Sequence, residues 1–138
     1  MKKLDCACYV QSRDHIKMYC ATYIDKILNN HGWNTPVKEE TKLIEALHPD
    51  SIKKLERTAC QQNESESRKI EDDMGFSYRS AIGELSFAYV LCRLGIGYAM
   101  ADLSKFSQNP ARCHYVAVKR VVRYLRKTKD WVMVFWRK

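Results

Sequence analysis

Between Ala111 and Lys127 six basic side chains recur at helical intervals: Arg112, Lys119, Arg120, Arg123, Arg126 and Lys127. On a helical wheel they fall within one arc of about 120°, while His114, Ala117, Val118, Val121, Tyr124 and Leu125 fill the opposite arc. Such a helix packs one face into a core and turns a cationic strip outward. A solvated face that seeks neutrality mixes Glu with Lys at i,i+4 spacing, and this one carries no acid. Lysine and arginine in a row suit a polyanion, and phosphates of nucleic acid meet them without regard to sequence. These six are the candidate nucleic-acid-binding residues.

The other reactive types form no comparable set. Asp72-Asp73 is the one Asp-Asp pair, and it follows Glu71 in a polar stretch with no strand before it. Six cysteines (Cys6, Cys8, Cys20, Cys60, Cys92 and Cys113) show no Cys-x-x-Cys spacing, and His15, His31, His48 and His114 are scattered. Structural zinc needs four converging ligands, usually in close pairs, so no metal set is assigned. The absence of a secretory leader makes the cysteines read as thiols in a reducing compartment. The expected location is therefore intracellular, in cytoplasm or nucleus, and not secreted. No catalytic residue is assigned.

The elements that would carry the strip follow from composition and periodicity. The chain has 138 residues, 46% hydrophobic and 29% charged, with few Gly and Pro. That composition excludes a disordered or collagen-like chain and disfavours a sandwich of tight turns. No apolar run approaches the roughly 20 residues of a membrane span. The formal net charge of +8 is carried wholly by residues 110–138, whereas residues 39–73 have a balance of −4.

Cys6–Val10 and Ile16–Tyr19 flank the polar group Gln11–His15 and predict a β-hairpin. A helix is predicted over Ala21–Asn30, capped by Thr22 and stopped at Asn30-His31-Gly32. Residues 33–75 read as a polar, acidic surface linker with one short helix over Ser51–Cys60, a nearly all-polar run over Gln61–Lys69 and a disordered tip. Tyr78–Leu91 predicts a buried helix with Ser77 as cap, broken at Arg93-Leu94-Gly95. Ile96–Phe106 predicts a second apolar helix. Asn109-Pro110 then reads as an N-cap followed by Pro at the first position of the basic helix. Trp131–Trp136 predicts a strand whose partners lie elsewhere in the fold or beyond the C-terminus. The expected class is α+β, mainly α, with an N-terminal hairpin, a three-helix core whose third helix is basic, and a C-terminal strand. The expected divisions are residues 1–32, 33–75 and 76–138.

Residues 76–128 resemble the distal part of the reverse transcriptase domain of copia-type LTR retrotransposons. The resemblance runs through Tyr78-Arg79-Ser80-Ala81, Gly83, Leu85 and Tyr89, then Arg93 and Ile96, then Ser104-Lys105-Phe106 and Asn109-Pro110. It continues through His114, Ala117, Lys119-Arg120-Val121, Arg123-Tyr124-Leu125 and Thr128. Tyr23-Ile24, Ile27-Leu28, Gly32-Trp33 and Pro36-Val37 match the preceding segment more loosely. The family's Asp before Ile96, a plausible N-cap, is Gly95 here, and a family Gln is Cys20.

The resemblance implies the end of the palm, the thumb and the connection of an RNA-directed DNA polymerase, gripping template-primer as RNA–DNA hybrid or duplex. The family's Mg²⁺ is held by a Tyr-x-Asp-Asp turn and an upstream Asp, both outside the matched region. The expectation is thus no cofactor in this chain and no polymerase activity by it alone. Its implied partners are nucleic acid and the palm and ribonuclease H regions of a polyprotein, with no membrane. The rival readings are a small helical domain whose basic helix meets an acidic protein, and the product of a degenerate element copy.

Overall fold

A computed structural model describes residues 2–3, 8–33, 64–91 and 93–138. Four strands form one antiparallel sheet in sequential order: β1 Lys2–Lys3, β2 Cys8–Gln11, β3 His15–Tyr19 and β4 Met133–Trp136. The hairpin is present with Tyr9 opposite Met18 and Gln11 opposite Ile16. The chain's last strand finds its partner within the fold, because β4 pairs with β3 and sets Met133 opposite Met18 and Phe135 opposite Ile16. Met18 and Met133 are half-buried and lie against the helical core, which fixes that face of the sheet inward.

The helices are α1 Ala21–His31, α2 Glu64–Met74, α3 Tyr78–Leu91, α4 Gly97–Ser104 and α5 Arg112–Lys127, with a 3₁₀ turn over Leu94–Ile96 ahead of α4. The class is α+β, mainly α. Ile24 and Leu28 of α1, Leu85 of α3, Leu103 of α4 and Val118, Val121 and Leu125 of α5 are almost wholly buried and form one cluster. Gly32 ends α1 at φ 66°, the left-handed backbone that Gly adopts without a Cβ penalty, and its N–H returns to the Asn29 carbonyl. A different demand falls on Gly97. A Cβ there would stand 2.6 Å from the Tyr89 ring, so close packing of α3 on α4 requires the bare backbone.

Several sequence expectations change. Thr22 does not cap α1; Cys20 occupies that position and makes no side-chain cap. The stretch that reads as linker is helical from Glu64, because Ile70 and Met74, one turn apart, reach the core cluster and supply packing that the polar composition conceals. The expected helix at Ser51–Cys60 lies outside the described residues. Ser77 does occupy the entry to α3, its carbonyl accepting the Ala81 N–H at 3.0 Å. Gly95, which stands where the resembling family has its capping Asp, sits inside the 3₁₀ turn, and Ile96 holds the N-cap position of α4. The cap of α5 is Ala111, two residues beyond Asn109, because the His114 ring supplies the acceptor.

Candidate nucleic-acid interface

The direction of α5 is set at both ends and along one side. At its start, buried His114 accepts the Ala111 N–H on Nδ1 at 2.8 Å, and its ring stacks on Phe106 with centroids 3.9 Å apart. One orphan donor of the helix N-terminus is satisfied this way. Along the inner side His114, Tyr115, Val118, Val121, Val122 and Leu125 are buried, and Ala117 and Tyr124 are half-buried. The wheel therefore has the correct polarity, with Tyr115 and Val122 added to the core.

At the far end Arg93 locks the helix. It is only 6% exposed, and among the described residues it forms no ion pair. Its Nη1 donates to the Thr128 carbonyl at 2.5 Å and its Nη2 to Thr128 Oγ1, while the guanidinium lies over Tyr124 at 5.7 Å and Trp131 at 5.9 Å. Thr128 Oγ1 in turn donates to the Tyr124 carbonyl at 2.8 Å. A carbonyl, a hydroxyl and two ring faces thus satisfy the buried guanidinium. Arg93 thus pins the end of α3 to the end of α5. The sequence marks it as a helix breaker and as a position shared with the resembling family, and neither gives a sign of a partner 35 residues away.

The six strip residues separate into two groups. Arg112, Arg120 and Lys127 are exposed, whereas Lys119, Arg123 and Arg126 are half-buried. Arg112 pairs with Asp73 of α2 at 2.8 Å, Arg126 donates to the Trp33 carbonyl at 3.3 Å, and the Lys119 ammonium lies 5.8 Å from the centre of the Phe76 ring. One margin of the strip therefore helps hold α1, α2 and α5 together. The outward margin is Arg120 and Lys127, which have no partner among the described residues, with exposed Val116 one turn before Arg120. Val116 was not anticipated as part of this surface, although its place one turn after Arg112 puts it inside the cationic arc. Arg126 and Lys127 in the last turn also complement the negative end of the helix dipole.

The Asp72-Asp73 pair lies in α2 and not on a hairpin, and Asp73 is occupied by Arg112. Successive helical residues diverge by about 100°, so this pair does not present two carboxylates to a shared metal pair.

These features stand beside a sequence similarity to part of a retrotransposon polyprotein. Over 113 residues, 82% of its length, the chain is 31% identical to the Retrovirus-related Pol polyprotein from transposon TNT 1-94 of Nicotiana tabacum. A second relative, the Secreted RxLR effector protein 161 of Plasmopara viticola, is 37% identical over 60 residues, or 44% of the chain. The matched stretches span 8% of the polyprotein and 42% of the effector. No family model and no solved structure matches the chain. Among the described residues no helix is long and apolar enough to cross a membrane.

Proposed function

We propose that the chain is the distal part of a copia-type reverse transcriptase, and that it grips template-primer through the outward margin of α5. The observation that carries this reading is the outward cationic margin of Arg120 and Lys127, held in place by a buried apolar face and by the Arg93–Thr128 lock. Similarity to a retrotransposon Pol polyprotein supports it, as does the agreement in register from Tyr78 to Thr128. In this reading the chain acts inside the cell, on RNA–DNA hybrid or duplex, beside palm and ribonuclease H regions. The Mg²⁺ chemistry of polymerisation belongs to carboxylates outside this chain, and the isolated chain extends no primer.

The test is the salt dependence of hybrid binding. Arg120→Gln and Lys127→Gln avoid the residues with structural contacts. Each should weaken binding similarly for all sequences and lower the salt slope by about one. Unchanged affinity and slope in the folded double variant would remove the reading. Loss of binding to an acidic peptide, with hybrid binding intact, would favour the protein-partner alternative.

A further inference from the structure

A second polar site lies apart from the strip. The start of α3, the middle of α2 and the Ser107–Pro110 loop line an open cavity of about 300 Å³. Ser67 of α2 donates to Asn109 Oδ1 at 3.1 Å and closes one side. Tyr115 of α5 lines the cavity and is only 3% exposed. Its ring is wedged against Phe76 and Tyr78, with centroids 5.1 and 5.3 Å away. The neighbouring Tyr78 gives its O–H to the Leu103 carbonyl at 2.6 Å, but the Tyr115 hydroxyl has no hydrogen-bond partner among the described residues. Buried phenols usually find one.

Three further donors converge there. Arg79 Nε donates to the Ser107 carbonyl at 3.1 Å, which anchors the guanidinium at the cavity wall and leaves its terminal nitrogens available. Arg68 also lines the cavity and has no partner among the described residues. The first turn of α3 contributes backbone N–H groups, since Ser77, Tyr78 and Arg79 all line the cavity and the first N–H groups of a helix lack intrahelical acceptors. Glu71 is the one charged acceptor. Burial pushes the Tyr115 phenol up from its ordinary value, and the Glu71 carboxylate pushes it further, so it stays a donor at neutral pH.

We propose that this cavity binds a phosphate monoester of nucleotide type, with the phosphate on Arg68, Arg79, the Tyr115 hydroxyl and the start of α3, and a sugar hydroxyl on Glu71. Two guanidinium groups, a phenol and a helix N-terminus match the phosphate oxygens. A volume at the lower end for ligand cavities matches a small ligand. The site is independent of the α5 strip, because neither Arg120 nor Lys127 lines it.

The experiment titrates the full chain with adenosine 5′-monophosphate and, separately, with oligonucleotides ending in a 5′-phosphate or a 5′-hydroxyl, reading amide shifts over Ser77–Ser80 and the dissociation constant. Saturable binding of the mononucleotide is expected. Tyr115→Phe keeps the ring and the fold, and should weaken binding about tenfold, the loss of one hydrogen bond to a charged group. Arg79→Gln should weaken it by at least as much, whereas Arg120→Gln should leave it unchanged. A Tyr115-dependent preference for the 5′-phosphorylated strand identifies a strand end as the source; equal binding of the mononucleotide identifies a free nucleotide. Absence of saturable mononucleotide binding, or equal binding by folded Tyr115→Phe, overturns the proposal. Either result leaves hybrid binding through Arg120 and Lys127 untouched.

Discussion

Helices α2 and α5 touch each other, but they are attached to the molecule by different means. Six side chains of α5 are buried in the core, and both of its ends are tied by hydrogen bonds. Two side chains of α2, Ile70 and Met74, reach the same core, and both are only half-buried. The rest of its hold is polar: Ser67 to Asn109 at one end and Asp73 to Arg112 at the other. A helix stays in place mainly through its apolar face, since propensity alone leaves helices of this length marginal in water. The stability of α5 should therefore be that of the whole domain, whereas α2 should open separately at lower cost. Function follows the same division: α5 offers a rigid charged surface, and α2 forms one wall of the Tyr115 cavity.

The largest expected effect contrasts one substitution in each helix. Val121 is 1% exposed, so Val121→Asp buries an unpaired carboxylate and should cost more than about 4 kcal/mol, abolishing the cooperative urea transition. Ile70→Asp places the same charge at a half-buried edge and should cost about 1 kcal/mol. Equal losses in circular-dichroism melts would show that the two helices unfold as one unit.

Arg93→Ala comes next. It removes both donors to Thr128 and the stem packed near Tyr124 and Trp131, at a cost of about 3 kcal/mol. Arg93→Lys should recover only part of this, because one ammonium does not reproduce the fork geometry. Full recovery by lysine in chemical denaturation would reduce the lock to a simple charge. Amide exchange gives a second view of the same contrast: α5 should exchange only with global unfolding, and α2 faster. In the Arg93→Ala variant the last turn of α5 should approach the rate of α2.

Why α5 was legible and α2 was not follows from particular residues. In α5 a 3.6-residue period alternates Val118, Val121 and Leu125 with Lys and Arg, and the contrast in side-chain chemistry reports the face directly. In α2 the run Glu-Ser-Glu-Ser-Arg-Lys precedes the first apolar residue, so the pattern shrinks to Ile70 and Met74, too few to define a period. The start of α5 was misplaced for a related reason. Asn109-Pro110 has the right chemistry for a cap, but the tertiary contact of His114 with Phe106 moves the cap to Ala111. The strip's arc was legible, while its division into tied and open margins was not, because Trp33, Asp73 and Phe76 arrive from distant parts of the chain. The Tyr115 cavity leaves no sequence signal at all, being assembled from four separate segments.

Tyr78 tests the core side of the contrast at a smaller scale. Burial, with smaller contributions from Tyr115 and Cys113, pushes its phenol far above the ordinary 10.0, so the folded state holds a proton that the unfolded chain releases from about that pH upward. The stabilisation is fully present below pH 10.0 and is lost as pH rises beyond it. Tyr78→Phe should lose the bond to the Leu103 carbonyl, costing about 1 kcal/mol at pH 7, and should flatten the alkaline decline of the melting temperature. An unchanged alkaline limb would mean that Tyr78 ionises as freely in the fold as outside it.

The smallest effect belongs to the contact between the two helices. Arg112 and Asp73 are each 61% exposed, so their 2.8 Å ion pair lies in solvent, where Coulomb attraction is weak and two long side chains lose freedom. Arg112 also stands in the first turn of α5, where the positive end of the dipole opposes it. Asp73 offsets that cost as much as it attaches α2. A double-mutant cycle with Arg112→Ala and Asp73→Ala should give a coupling of about 0.5 kcal/mol that fades by 0.5 M salt. Arg112→Ala alone should be nearly neutral, since the loss of the pair is balanced by relief at the helix start. Asp73→Ala alone should be the worse single change, because it leaves Arg112 facing the dipole without its partner. The reverse order in thermal melts would mean that α2 is held to α5 by charge and not by Ile70 and Met74.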